Sequence, residues 1–200
     1  MSSLRRRKSR HRPIPCGNRL DALSVPLWII ADLESGAFPA NMPSVNELSA
    51  QIDSLLKIGG QREIVLEQAL RGVLKQFHSE TGAIHRLDEE EQMLHLAAQV
   101  GLPEPMLEVI KTIPVGKGIA GETIAKNRPV TICNLQTDSG GIARPGAKHG
   151  GTGGALCVPI RHGNKTVGTL GVGTVREREY SAAEINSLLE IAKLIGEKFV

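Results

Sequence analysis

The residues of this 200-residue chain that could do chemistry gather most densely in segment 134–154, NLQTDSGGIARPGAKHGGTGG. Seven of its 21 residues are glycine, and Arg144, Lys148 and His149 stand against a lone acid, Asp138. Glycines let backbone N–H groups approach a ligand, and the cations favour a carboxylate, a phosphate or an inorganic oxyanion. An irregular stretch of this length in a compact domain is a lid, a binding loop or solvated chain. Asp138, Ser139 and His149 are the residue types of a hydrolytic triad, but no rigid turn presents the serine, so hydrolysis is not expected.

Histidines, cysteines and a glycine motif offer further chemistry. A hairpin centred on Glu90 places His85 and His95 directly opposite each other, on the face of Ala83, Leu87, Met93 and Ala97. With His149 they would bind a metal or sense pH, whereas a one-residue change of register would separate them. Cys16, Cys133 and Cys157 are an odd number without metal spacing, which points to reduced thiols in a cytoplasmic protein. Cys133 and Cys157 fall on expected strands, where cysteine acts as a small hydrophobe unless its setting is electropositive and accessible. Gly116-Lys-Gly118-Ile-Ala-Gly121 matches the dinucleotide fingerprint, and Asp138 lies near the spacing of a ribose-binding acid. Its context differs: a helical pattern over 104–113 precedes it instead of a buried strand, and the helix after it is too short for a crossover. Lys117 is followed by Gly118 and not by Ser or Thr, so it is no P-loop, and the glycines read as a tight entry into a helix.

Hydrophobic period supplies the elements that must hold these groups. Ser44-Val-Asn-Glu47 is a capping box, followed by Val45, Leu48, Ile52 and Leu55 at helical spacing. A second helix is expected over 61–78, with Leu66, Ala69, Leu70, Val73 and Phe77 on one face. A last helix opens at the box Ser181-Ala-Ala-Glu184 and carries Ile185, Leu188, Ala192, Ile195 and Phe199. Between them, 82–87 with 93–100 and 155–161 with 166–175 read as two hairpins, and Val130 begins a further short strand. These segments predict an α+β domain whose five-stranded sheet is mostly antiparallel, with helices on its faces.

Residues 113–135, IPVGKGIAGETIAKNRPVTICNL, resemble the middle of a GAF sensor domain. In that family a turn of the Pro114-Val-Gly-Lys-Gly118 type opens a short helix, which an Arg-Pro pair ends before a strand. Val158-Pro-Ile-Arg161, Val167-Gly-Thr-Leu-Gly-Val172 and Tyr180-Ser-Ala-Ala-Glu184 fit the same pattern, so the resemblance spans roughly 61–200. It implies a GAF-like, PAS-related fold of five to six mostly antiparallel strands, and it makes 134–154 the lid over a ligand pocket. Arg144 and Lys148 would then pair with an anionic ligand, with Arg128 or Arg161 at the pocket wall. Cys133, His149, His85 and His95 are further ligand-binding candidates.

Departures from the family narrow the ligand without naming it, and no cofactor is identified. No Phe, Tyr or Trp lies between Gly101 and Val175, so that span offers no such ring on which a purine or a bilin would stack. The Asn-Lys, Phe, Asp-Glu signature of cyclic-nucleotide members is echoed only by Tyr180 and Glu184, and neither Cys133 nor Cys157 is followed by the His that often accompanies a bilin-attachment cysteine. Free methionine sulfoxide reductases of this fold show Gly-Val-Cys-Gly at the helix entry, where this chain has Gly118-Ile-Ala-Gly121. The resemblance therefore implies a small-molecule-binding sensory module, homodimeric through its terminal helices and signalling through a partner protein. A cysteine-dependent reductase is the alternative.

Composition sets the outer bounds. With 40% hydrophobic and 22% charged residues the chain is ample for one core, and no apolar run reaches membrane-spanning length. Residues 1–20 hold seven Lys or Arg and no acid, leaving 17 of the 24 bases to face all 21 acids in the other 180 residues, a net charge of −4. That balance disfavours nucleic-acid binding by the domain and leaves it only to the basic tail. Residues 1–43 are expected to be a disordered tail, 44–60 an amphipathic helix or linker, and 61–200 the domain. The apolar stretch 22–31 is interrupted by Pro26 and abuts Asp21, which argues against a signal peptide.

Overall fold

The computed structural model describes residues 45–58, 62–135 and 153–197. Two helices come first, α1 (Val45–Ile58) and α2 (Arg62–Gln76), followed by the hairpin β1 (Thr81–Asp88) and β2 (Met93–Val100). Next are α3 (Glu104–Ile110), β3 (Thr112–Pro114), α4 (Gly118–Lys126) and β4 (Val130–Ile132). The hairpin β5 (Ala155–His162) and β6 (Lys165–Gly173) and the helix α5 (Ala182–Gly196) complete the chain. The Ser44 capping box, the 22–31 stretch, the basic tail, Cys16, Arg144, Lys148 and His149 lie outside the described residues.

Local chemistry accounts for the element boundaries. At α5 the Ser181 hydroxyl accepts the Glu184 N–H while the Glu184 carboxylate accepts the Ser181 N–H, the reciprocal box read from the sequence. The β1–β2 turn is held by Asp88, whose Oδ1 accepts the N–H groups of Glu90 and Glu91 at 3.0 Å each. Gly163 and Asn164 form a two-residue loop between β5 and β6, with Gly163 at φ 57°.

All strand pairings are antiparallel, in the order β3-β2-β1-β6-β5-β4. The sixth strand, β3, comes from the end of the 104–113 segment that reads as helix in the sequence. After Ile110 the chain straightens and pairs Thr112 with His95 and Pro114 with Met93. A strand therefore does precede the Gly116–Gly121 motif, but it is a three-residue antiparallel edge strand and not the parallel strand of a dinucleotide fold.

One face of the sheet carries the main core. Ile84, Ala98, Leu156, Val158, Ile160, Leu170 and Val172 meet Leu66, Leu70 and Val73 of α2 and Leu188, Ile191 and Ile195 of α5. Helix α1 belongs to this core: Leu48, Ile52 and Leu56 are 2%, 1% and 7% exposed, packed where α1 meets α2 and α5. Of the stripe read from the sequence, Leu48 and Ile52 are thus used inside the chain rather than in a dimer of terminal helices, and Leu56 is buried with them in place of the half-buried Leu55. A 14-residue helix gains most of its stability from burying such a stripe, and α2 and α5 are the nearest apolar surface.

Candidate functional site

The opposite face of the sheet is built to leave space. Along β6 the side chains alternate between bulk toward the helices, at Leu170 and Val172, and almost nothing on the other side, at Gly171 and Gly173; β5 repeats this with Leu156 and Val158 against Ala155 and Cys157. With Thr81 and Ala83 of β1 these small residues form the floor of a cavity of about 140 Å³. Met106, Val109 and Ile110 of α3 wall one side, and Gly118, Ile119 and Ala120 of α4 wall another. Ile113, Ile132 and Leu135 complete the described lining.

Helix α4 owes its position to the glycines of the turn before it. Gly116 and Gly118 have φ of 80° and 63°, which lets the chain reverse immediately after β3. The Gly116 N–H donates to the Gly121 carbonyl at 2.9 Å, and the Lys117 N–H to the Pro114 carbonyl at 3.0 Å. A Cβ on Gly121 would sit inside van der Waals contact of the Pro114 oxygen, so only glycine lets α4 press this closely on the turn. The motif that mimics a dinucleotide fingerprint is therefore a packing device that brings the first turn of α4 to the cavity.

Among the described residues His85 is the buried imidazole at the site, 4% exposed, and its Nε2 lies 2.9 Å from the Ile110 carbonyl oxygen. A carbonyl only accepts, so Nε2 carries the proton and Nδ1 is an acceptor. The bond satisfies one of the carbonyls left open at the end of α3 and ties that helix to the sheet. Burial lowers the imidazole pKa from 6.5 to about 4 against the opposing pull of the Ile110 bond, so His85 is neutral at pH 7. Cys157 is pushed up to about 11 by burial, with the Thr123 and Thr169 hydroxyls pulling the other way, and it stays a thiol.

The described lining holds no charged side chain. The uncapped first turn of α4 supplies N–H groups, since Lys117 at its N-cap makes no side-chain cap. A helix N-terminus returns about 0.3–2 kcal/mol to an anion. Taking a carboxylate wholly out of water costs on the order of several kcal/mol. The described walls therefore suit apolar matter and neutral polar groups better than a buried anion.

Several sequence candidates fall elsewhere. His85 and His95 are not brought together: the register slips between Ile84 and His85, so that Ile84 pairs with Ala98, His85 with Leu96 and Arg86 with His95. Ala97 is left without a directly opposite partner, and the slip turns Leu94 inward to the Ile113 and Cys157 cluster. His95 stands at the surface, 3.6 Å from the Glu91 carboxylate. Neither Arg128 nor Arg161 lines the cavity. Both lie at the C-terminal end of α4, about 10 Å or more along the helix from the turn that borders it. There Arg161 Nη2 donates to the Asn127 carbonyl at 2.9 Å and to its Oδ1 at 3.0 Å, holding a C-cap residue with φ 47°. Cys133 is half-buried just past β4, outside the lining. The small-residue floor is what the sequence reading missed; its signal is the alternation in Thr169-Leu-Gly-Val-Gly173.

A GAF domain family model matches residues 61–198. Among solved structures, the chain is similar to the free methionine-R-sulfoxide reductase of Neisseria meningitidis in complex with its substrate, at 18% identity and a TM-score of 0.65, over 82% of this chain and 93% of that one. It is similar to the GAF domain of the Acinetobacter phosphoenolpyruvate-protein phosphotransferase, at 19% identity and a TM-score of 0.65, over 76% and 90% of the two chains. The corresponding domain from Coxiella burnetii gives 15% identity and a TM-score of 0.67, over 80% and 94%. Likeness at these identities speaks to the fold. No curated protein matches in sequence.

Proposed function

The chain belongs to the GAF domain family, and from that premise we propose that it is a small-molecule-binding regulatory module whose ligand occupies the cavity between the sheet, α3 and α4, with its output carried to a partner protein. The observation that carries this reading is the cavity itself. A floor of Ala83, Ala155, Gly171 and Gly173 stands beneath two helices, where larger side chains would have filled the space. The module is homodimeric in this reading, through surface other than the buried α1 stripe.

Cysteine-dependent reduction is the weaker reading. Ala120 stands in the first turn of α4, where the resembling reductases place a cysteine, and the thiol that does line the cavity, Cys157, is held neutral by burial. A neutral thiol is a poor nucleophile.

The test uses Gly171→Leu. A Cβ at Gly171 meets only ordinary contacts, the nearest being Cys157 Sγ at 3.7 Å, so the fold can accept the side chain, which then fills the chamber from its floor. Native mass spectrometry of the purified wild type is expected to show a retained small molecule that the folded Gly171→Leu protein lacks. Equal retention by both would move the site away from the cavity. Turnover of free methionine sulfoxide that is lost in Cys157→Ser would replace the proposal with the reductase reading.

A further inference from the structure

Taking the cavity as the ligand site, we propose that it selects a small, uncharged, mostly apolar molecule with the bulk of a single six-membered ring. Size sets the first limit. The cavity measures about 140 Å³, and an apolar cavity of about 150 Å³ takes up benzene.

Lining chemistry sets the second limit. Ile110, Ile113, Ile119 and Ile132 with Met106, Val109 and Leu135 line the space, and the described walls present no cation. His85, Thr81 and the Cys157 thiol are neutral, and the two arginines nearest in sequence to α4 and β5 sit at the far end of α4. A buried anion would find no compensating charge among these residues. An uncharged hydroxyl or carbonyl could still use the first-turn N–H groups of α4 without the cost of desolvating an ion.

Methyl NMR tests this on the full chain with isoleucine methyls labelled. Benzene, phenol and benzoate are titrated at pH 7 into wild type and Gly171→Leu. Benzene and phenol are expected to move the methyls of Ile110, Ile113, Ile119 and Ile132 saturably in wild type and not in Gly171→Leu, with benzoate binding at least tenfold more weakly than phenol. Benzoate saturating the same methyls at equal or lower concentration than phenol overturns the ligand class and leaves the cavity as the site. No shift from benzene or phenol also overturns the class, and a parallel xenon titration separates the two failures. Xenon entry confines the failure to the ligand chemistry, whereas unmoved methyls under xenon remove the cavity reading with it.

Discussion

Acid should unpick the tie between His85 and α3, and the size of the effect follows from the imidazole's environment. The folded pKa is lowered to about 4 from 6.5, so between those values the unfolded chain binds the proton and the folded chain does not. The sign follows: stability from this group is fully present above pH 6.5 and is lost as pH falls toward 4. Each pKa unit corresponds to 1.36 kcal/mol, which makes the loss about 2 kcal/mol by pH 5 and about 3 kcal/mol by pH 4, to order of magnitude. Carboxylates titrate over part of the same range, so the measurement is a difference. Urea unfolding of wild type and His85→Gln at half-unit steps from pH 7.5 to 4 removes the groups common to both. At pH 7 the variant is expected to be less stable by about 1 kcal/mol for the weakened bond to Ile110. Below pH 6 the gap should close and then reverse, because glutamine does not titrate. Parallel pH profiles for the two proteins, or an NMR titration of the His85 ring centred near 6.5, would refute the argument that burial dominates over the Ile110 bond.

Three other outcomes follow from contacts already described. Gly121→Ala should lower stability by about 1–3 kcal/mol in urea melts, because its Cβ collides with the Pro114 carbonyl and α4 must move off the turn. Leu48→Glu and Ile52→Glu should each cost about 3 kcal/mol or more and abolish cooperative unfolding, since both side chains are buried within the protomer; folded variants that merely halve in mass by light scattering would make the stripe an intermolecular seam. Arg178→Lys should melt lower by about 1–2 kcal/mol: the arginine donates to the Phe77 carbonyl and to Glu184 Oε1 and lies 4.7 Å from the Tyr180 ring centroid, a set that one ammonium cannot reproduce.

What this chain determines locally is legible in its sequence. The helical stripes of α2 and α5, the Ser181 capping box, both hairpins and the glycine turn before α4 all follow from period, caps and φ preference, which act over a few residues and so survive into the fold. The site was only partly legible. His85 and Cys157 are visible as chemistry-bearing residues, but their roles depend on partners far along the chain. His85 pairs with Thr169 across β1 and β6 and reaches Ile110 at the end of α3, while a single slip at Ile84 sends His95 to the other face. A period of two makes every such slip invert the side chains beyond it, and nothing local to the hairpin announces it. The same limit hid the third strand, whose three residues are extended because β2 offers an open edge, and it hid the true partners of the α1 stripe, which are α2 and α5. The cavity is the clearest case. Small residues alternating along β5 and β6 are written in the sequence, but whether they leave a void or admit a neighbour is decided only when α3 and α4 settle above them, held at that height by the Gly121 contact and the His85 bond.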